Sequence, residues 1–467
     1  MSETQKKDVI IIGAGLTGLA TAYYLKESGL NIVILEKDDR IGGVIRTYHE
    51  DGFVFEAGPN TGVVSNPEVA ELFEELSGSC KLEIANPDAK RRLIWKSGQW
   101  HALPSGLLSA IKTPLFSAKD KFRILGEPFR KKGTDPFESI ADLVLRRLGK
   151  SYLDYAVDPF ISGIYAGNPS NLITRFALPK LYALEQNYGS FIKGAFKKGF
   201  EPKDPRMKKA TREVFSAEQG LGSFIQALGT SIGENNICLN AENVEVKAQH
   251  NQYTVNASIK GKAVAFEADY VVSTTDAGSL VSLLPFLDAQ ELSVLTNLEY
   301  ARIVQVVLGF KKWQGIGLNA FGGLVPSIEK RKILGILFPS SFFKNRAPEQ
   351  GALLSLFMGG ARRPELVDLN DNEIKALVFK EVQEMLQVPN INPDVFRIFR
   401  YHRAIPQYGR SSGERLEAIH KIQHQYPGLI LAGGIRDGIG MADRIKQAKT
   451  IAVEILASES VSESATR

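Results

Sequence analysis

The sequence predicts an α/β chain: a parallel nucleotide-binding sheet, a second, mostly antiparallel sheet, and a helical insert. Three observations carry this. The first forty residues run apolar strand, glycine turn, helical run, apolar strand; residues 107–198 have helical periodicity; and from Ile303 onward short apolar runs alternate with turns.

Residues 9–12 form a short apolar run that reads as a buried strand. Gly13, Gly15 and Gly18 follow at G-x-G-x-x-G spacing, residues 16–26 have helical periodicity, and a second apolar run, 32–35, ends on Glu36. This is a complete Rossmann-type dinucleotide unit. Gly13 permits the tight turn, Gly15 removes the Cβ that would block a pyrophosphate, and Gly18 lets the helix lie close on the strand. Leu16 and Thr17 open the helix, whose free N–H groups face the phosphates. Glu36 stands where a carboxylate accepts both ribose hydroxyls, which favours an adenosine with a free 2′-hydroxyl. Lys37 and Arg40 follow, then Gly42 and Gly43, a second phosphate-facing turn that a nicotinamide site does not need. FAD and NAD share the fingerprint, and on this segment alone both stay open.

Ser65-Asn-Pro-Glu68 reads as a capping box ahead of a helical stripe over 69–76, and 92–103 as a hairpin turning at 96–99. Residues 107–198 are helical with proline and glycine breaks, and 200–213 read as a polar loop. A helix over 222–232 and successive strands over 237–275 follow. The runs 303–310, 333–338, 353–357 and 395–399 predict the second sheet. The segment 428–440 repeats strand and glycine turn before a helix over 441–456, so Gly433, Gly434, Gly440 and Met441 offer the cofactor a second helix N-terminus. Two such turns at one site favour a long cofactor, FAD, over NAD.

At 467 residues the chain exceeds one hydrophobic core. We expect a cofactor domain over 1–88, 215–285 and 418–467, a substrate domain over 89–107 and 286–417, and a helical domain over 108–214. A net charge of +5 is small for this length and does not point to nucleic acid. The positive charge is clustered, in Lys193, Lys197, Lys198, Lys203, Arg206, Lys208, Lys209 and Arg212, and again in Lys119, Lys121, Arg123, Arg130, Lys131 and Lys132. Such clusters suit a solvated face or an anionic membrane surface equally. Two cysteines are too few for a disulfide framework or a zinc site, and the histidines lack ligand spacing; we expect a reducing, cytoplasmic setting and no metal. No apolar run approaches the length that spans a bilayer.

Beyond these elements, Glu56-Ala-Gly-Pro-Asn-Thr61, Leu103-Pro-Ser105, Gly163-Ile-Tyr-Ala-Gly-Asn-Pro169, Phe321-Gly-Gly-Leu-Val-Pro-Ser327, Arg346-Ala-Pro348 and Ala404-Ile-Pro-Gln-Tyr408 stand in order along the chain. In this it resembles the flavin-dependent porphyrinogen oxidases, a branch of the FAD amine-oxidase superfamily, over nearly its whole length. The resemblance implies an oxidoreductase acting on CH–CH groups, with FAD as cofactor and O2 as acceptor, that converts protoporphyrinogen IX to protoporphyrin IX for haem synthesis. Coproporphyrinogen III is the near alternative; an amine oxidase, a desaturase or a non-catalytic porphyrin carrier are more distant ones.

By the same resemblance Leu324, Leu337 and Phe357 clasp a pyrrole ring, Arg92 anchors a propionate, Gly167 lies at the substrate, and Gly58, Pro59 and Asn60 lie beside the flavin, where Asn60 orients the macrocycle. On composition alone the three apolar residues read as sheet core, and Asn60 as a turn residue. The resemblance further implies peripheral membrane contact through the helical insert. Hand-off to a ferrochelatase and a homodimer are further expectations.

Overall fold

Five short apolar runs form the central sheet. In the computed structural model residues 4–465 are described, apart from 203, 250, 251 and 437; Lys203 of the basic cluster therefore lies outside the described residues. The strands Ile237–Cys238, Ile32–Leu35, Val9–Ile12, Tyr270–Ser273 and Leu429–Leu431 pair in that order, all parallel. Both faces are covered, which is why the runs are continuously apolar. Along the first strand Val9 and Ile11 enter the core beneath helices Leu16–Glu27, Leu221–Ile232 and Met441–Ala465. Ile10 and Ile12 point the other way, toward a four-stranded sheet and helices Ala289–Thr296 and Ser412–Gln425.

The second sheet has seven strands in the order Val395–Pro406, Tyr300–Phe310, Ala352–Gly359, Ile333–Leu337, Gly322–Leu324, Arg92–Lys96 and Gln99–Ala102. Every pairing is antiparallel except that of Gly322–Leu324 with Arg92–Lys96. Val304, Val306, Leu354 and Leu356 point to the face closed by helix Asp371–Leu386. The odd-numbered residues of the same two strands point to the other face, toward the nucleotide unit and the helical insert.

In the insert, helix Lys150–Tyr152, the π-turn Leu153–Val157 and helix Asp158–Tyr165 form one continuous rod. A fully buried Arg147 bridges Glu127 at 2.9 Å and Glu185 at 2.5 Å. Glu127 also accepts from Ser190 Oγ and from the N–H groups of Phe191 and Ile192, so the buried charges are compensated.

Four local expectations differ from the structure. Ser65 caps nothing: the helix is Pro67–Glu75 with Asn66 as N-cap, and the Asn66 amide donates to the Ala442 carbonyl at 3.2 Å instead of folding back on its own helix. Within 200–213 a 3₁₀ turn, Pro205–Lys209, forms because Arg206 pairs with Glu71 at 2.7 Å and Lys209 with Glu74 at 2.5 Å. The last helix continues to Ala465, past the expected 456. Leu287, Leu292, Leu295 and Leu298, within the expected substrate domain, pack on the central sheet, and the strand expected at 303–310 begins at Tyr300.

Candidate active site

The two glycine turns of the opening unit touch. A Cβ on Gly43 would lie 3.3 Å from Gly15 Cα, and the Gly42 N–H donates to the Ala14 carbonyl at 2.8 Å. Gly13 has φ +101° and backs onto Thr274, whose hydroxyl donates to the carbonyls of Ile12 at 3.0 Å and Gly13 at 3.1 Å. A Cβ on Gly18 would lie 2.0 Å from the Gly13 carbonyl oxygen, whereas one on Gly15 would meet nothing within 4 Å. Gly18 therefore serves helix-on-strand packing, and Gly15 borders open space. Helix Leu16–Glu27 has no side-chain cap and no acidic residue in its first turn, which leaves its first N–H groups for an anion.

Glu36 is buried and accepts from the Ala14 N–H at 2.6 Å and the Asp38 N–H at 2.9 Å. Each of its oxygens keeps acceptor capacity for a ribose hydroxyl. Lys37 is exposed just beyond it. Arg40 turns inward and donates to the carbonyls of Ile41, Gly43 and Ile45 at 3.0, 2.6 and 3.1 Å, so its guanidinium shapes the Gly42-Gly43 turn. The C-terminal turn lies against the same strand ends: Gly433, at φ +79°, would place a Cβ 3.0 Å from the Thr274 carbonyl oxygen. The Gly440 N–H donates to Asp443 at 3.3 Å, Met441 is buried against Gly62, and Gly434 is nearly free of neighbours.

Strand pairing brings Arg92, Leu324, Leu337 and Phe357 onto one face of the seven-stranded sheet. Gly322 pairs with both Arg92 and Leu337, Leu324 with Gly335, and Gly335 with Phe357, so these residues share a side. Leu324, Leu337 and Phe357 are half-buried, unlike the closed face behind them. Helix Asp158–Tyr165 lies over Leu324 and presents Phe160, Gly163 and Ile164 on one side; Phe160 is 40% and Ile164 42% exposed. Together they present a partly exposed apolar face that can serve as a slot for a flat apolar ligand. Asp158 holds the helix in place, accepting from the Ser327 N–H at 2.8 Å and pairing with Arg362.

At the slot's edge the two neighbouring arginines separate. Arg91 donates twice to the Asn319 carbonyl, at 3.1 and 2.8 Å. Arg92 is exposed, its guanidinium lies 5.8 Å from the Phe321 ring centroid, and that guanidinium makes no hydrogen bond or ion pair among the described residues. Gly167 is buried, with Gln407 and Leu172 where a Cβ would go. Asn60 is 8% exposed and donates to the Gly58 carbonyl at 3.1 Å, closing the Gly58-Pro59-Asn60 turn. Gly58 needs its φ of +90°, since a Cβ there would lie 2.2 Å from the Val44 carbonyl oxygen.

Sequence reasoning passed over Gln305 and Glu56. Gln305 is an amide inside the otherwise apolar run 303–310, and that interruption was its signal. Glu56 accepts from the Leu221 N–H at 2.8 Å and Thr47 Oγ1 at 2.7 Å, and burial pushes its carboxyl up to about 7.

The sequence profile of the flavin-containing amine oxidoreductases matches residues 16–456. The chain belongs to that family. Among the amine oxidoreductases it is 30% identical to the mitochondrial protoporphyrinogen oxidase of Nicotiana tabacum, over 93% of this chain and 92% of the relative. It is 25% identical to the coproporphyrinogen III oxidase of Bacillus subtilis, over 97% and 98%. Its fold superposes on a proposed protoporphyrinogen oxidase from Exiguobacterium sp. 255-15 with a TM-score of 0.79 at 25% identity, covering 97% and 99% of the two chains. A UDP-galactopyranose mutase at TM-score 0.72 and 18% identity shares the fold.

The residues present fit the family's flavin in its dinucleotide form, FAD. Open space lies in front of Gly15, the helix behind it lacks a side-chain cap, and a buried carboxylate stands at the ribose position. Among the described residues no helix is long and apolar enough to cross a membrane.

Proposed function

We propose that this chain oxidises protoporphyrinogen IX to protoporphyrin IX. The observation that carries the reading is the slot: an apolar face of Leu324, Leu337 and Phe357, closed by Gly163 and edged by the unpaired guanidinium of Arg92. A tetrapyrrole carrying propionates has that same division into apolar body and anionic rim.

FAD held here would supply a two-electron hydride acceptor, with O2 as the oxidant that takes each electron pair on to H2O2. Gly13, Gly15, Leu16, Thr17, Gly18, Glu36, Gly42, Gly43, Gly58, Pro59, Asn60, Gly433, Gly434, Gly440 and Met441 are the residues assigned to hold it, with exposed Lys37 at the outer edge; Arg40, spent on three carbonyls, acts through the turn it braces. Arg92 takes a propionate in a bidentate contact, which fixes the macrocycle's rotation in the slot. Leu324, Leu337 and Phe357 exclude water and hold one pyrrole ring edge-on. Gly167, expected at the substrate, instead lets Gln407 and Leu172 pack where a Cβ would stand, so it supports the site from behind. Asn60, with its amide already used to close the turn, keeps its carbonyl oxygen as an acceptor for a pyrrole N–H. Pyrrole protons leave to solvent, so no side-chain base is required.

Because Arg91 is engaged with Asn319, Arg92 is the guanidinium left at this edge, which suits two propionates better than four. The test is anaerobic mixing with protoporphyrinogen IX and, separately, coproporphyrinogen III, following flavin absorbance and porphyrin fluorescence together. Faster bleaching with the first supports the reading, bleaching with the second alone moves the chain to coproporphyrinogen, and silence with both overturns it.

The helical insert also exposes Leu108, Ile111, Phe122, Leu125, Phe129, Phe196 and Phe200, each at least 62% exposed, beside Lys119, Lys193, Lys197 and Lys198. Apolar side chains rimmed by lysines favour an anionic membrane surface over a merely solvated face. Co-sedimentation with anionic vesicles at low salt is the expected result, and none with Phe122→Asp and Phe129→Asp combined.

A further inference from the structure

Gln305 is fully buried in the middle of strand Tyr300–Phe310, and its side-chain amide reaches off the sheet. Its Oε1 accepts from the Gly58 N–H at 2.8 Å; its Nε2 donates to the Glu56 carbonyl at 2.8 Å and to Ser355 Oγ at 3.0 Å. The amide takes both free backbone groups of residues 56–58, as the edge of another strand would. It thereby continues the pairing of strand Phe53–Ala57 at the point where the chain turns into Gly58-Pro59-Asn60.

The same residue pairs directly with Phe357 on the neighbouring strand and shares its face. Gln305 is therefore bonded to the turn assigned to the flavin while its backbone belongs to the sheet that lines the slot. Removing the amide takes its partner from the half-buried Gly58 N–H and from the buried Glu56 carbonyl, and a buried backbone group left unpaired is strongly disfavoured.

We infer that Gln305 is a positioning residue that fixes the Gly58-Pro59-Asn60 turn, and with it the flavin-facing edge of the site, against Phe357 and the substrate face. It touches neither substrate nor cofactor; it acts through Gly58 and Asn60. The inference rests on the reading of the slot given above. A displacement of even about 1 Å between reacting groups can cost about a hundredfold in rate, so the effect belongs on turnover and not on affinity.

The experiment compares FAD-loaded wild type with Gln305→Leu and Gln305→Glu. Gln305→Leu removes all three bonds at similar volume; Gln305→Glu keeps the acceptor for Gly58 and loses the donor toward Glu56. The expected result in Gln305→Leu is a changed visible circular dichroism of bound FAD without substrate, and a flavin reduction rate down at least tenfold with KM within threefold. Gln305→Glu lies between it and wild type in both readouts. Should Gln305→Leu fail to fold, Gln305→Glu carries the test, with an altered dichroism and a rate down at least threefold. Unchanged dichroism and rate in the FAD-loaded variants overturn the inference, as does loss confined to FAD occupancy or melting temperature. The dichroism needs no porphyrinogen, whereas failure of wild-type flavin to be reduced by either porphyrinogen overturns the substrate reading alone.

Discussion

A Cβ built on Gly163 would lie 2.6 Å from Leu324 Cδ2. The helix of the insert thus sits on the apolar face of the sheet with room for hydrogen only, and the width of the slot is set where these two residues meet. The atom in the way is the end of a mobile side chain, so Leu324 moves before the fold does. Alanine also gains ~1 kcal/mol of helix propensity over glycine, which offsets mild overpacking. Gly163→Ala is expected to melt near wild type with full FAD, while porphyrinogen turnover falls about tenfold. Steady-state kinetics beside a melting curve checks this; equal turnover in both proteins would detach Gly163 from the slot.

Gly15 and Gly18 separate ligand space from packing space. Gly15→Ala places a methyl in open space, so the apoprotein keeps its stability while FAD affinity drops by about 2 kcal/mol, roughly 30-fold. Gly18→Ala drives a methyl into the Gly13 carbonyl, which is backbone and cannot step aside, and costs about 2–3 kcal/mol of folding stability. Urea unfolding of the two apoproteins and FAD titration distinguish them. Equal destabilisation would mean that the space before Gly15 is not the cofactor's.

The neighbouring arginines give an internal control. Arg92 is unpaired at the rim, whereas Arg91 is bonded to Asn319. Losing a charge-assisted contact to a carboxylate costs about 1.5–3 kcal/mol, so Arg92→Ala raises KM roughly ten- to hundredfold. Arg91→Ala leaves KM within about threefold, on the same scale. A larger KM effect from Arg91→Ala would exchange the two assignments.

Two strands of the central sheet, Val9–Ile12 and Ile32–Leu35, were legible to the residue, because parallel strands buried on both faces must be continuous apolar runs. The slot was not readable from residues alone. Arg92, Leu324, Leu337 and Phe357 come from four strands, and only their register puts them on one face. The choice between Arg91 and Arg92 likewise depends on a distant carbonyl, that of Asn319. The capping box failed for a related reason: Asn66 found its partner at Ala442, hundreds of positions away, where local propensity has no say. Gln305 left a visible trace as a polar residue inside IVQVVLGF, but what it binds is a property of tertiary structure.

Glu56 carries a pH signature. Its carboxyl caps the helix Leu221–Ile232 and accepts from Thr47, yet burial dominates these favourable contacts and raises it to about 7. For a carboxyl whose folded value lies above its unfolded one, the folded state holds the proton longer. The stabilising contribution is complete below about 4.5 and is lost as pH rises through about 7. The amount lost is on the order of 3 kcal/mol. Relative to Glu56→Gln, which cannot ionise, wild type is expected to lose stability progressively between pH 5 and 7 and to run parallel above about pH 8. Urea midpoints of both proteins across that range decide the matter, and parallel curves throughout would place the Glu56 proton outside the folding equilibrium.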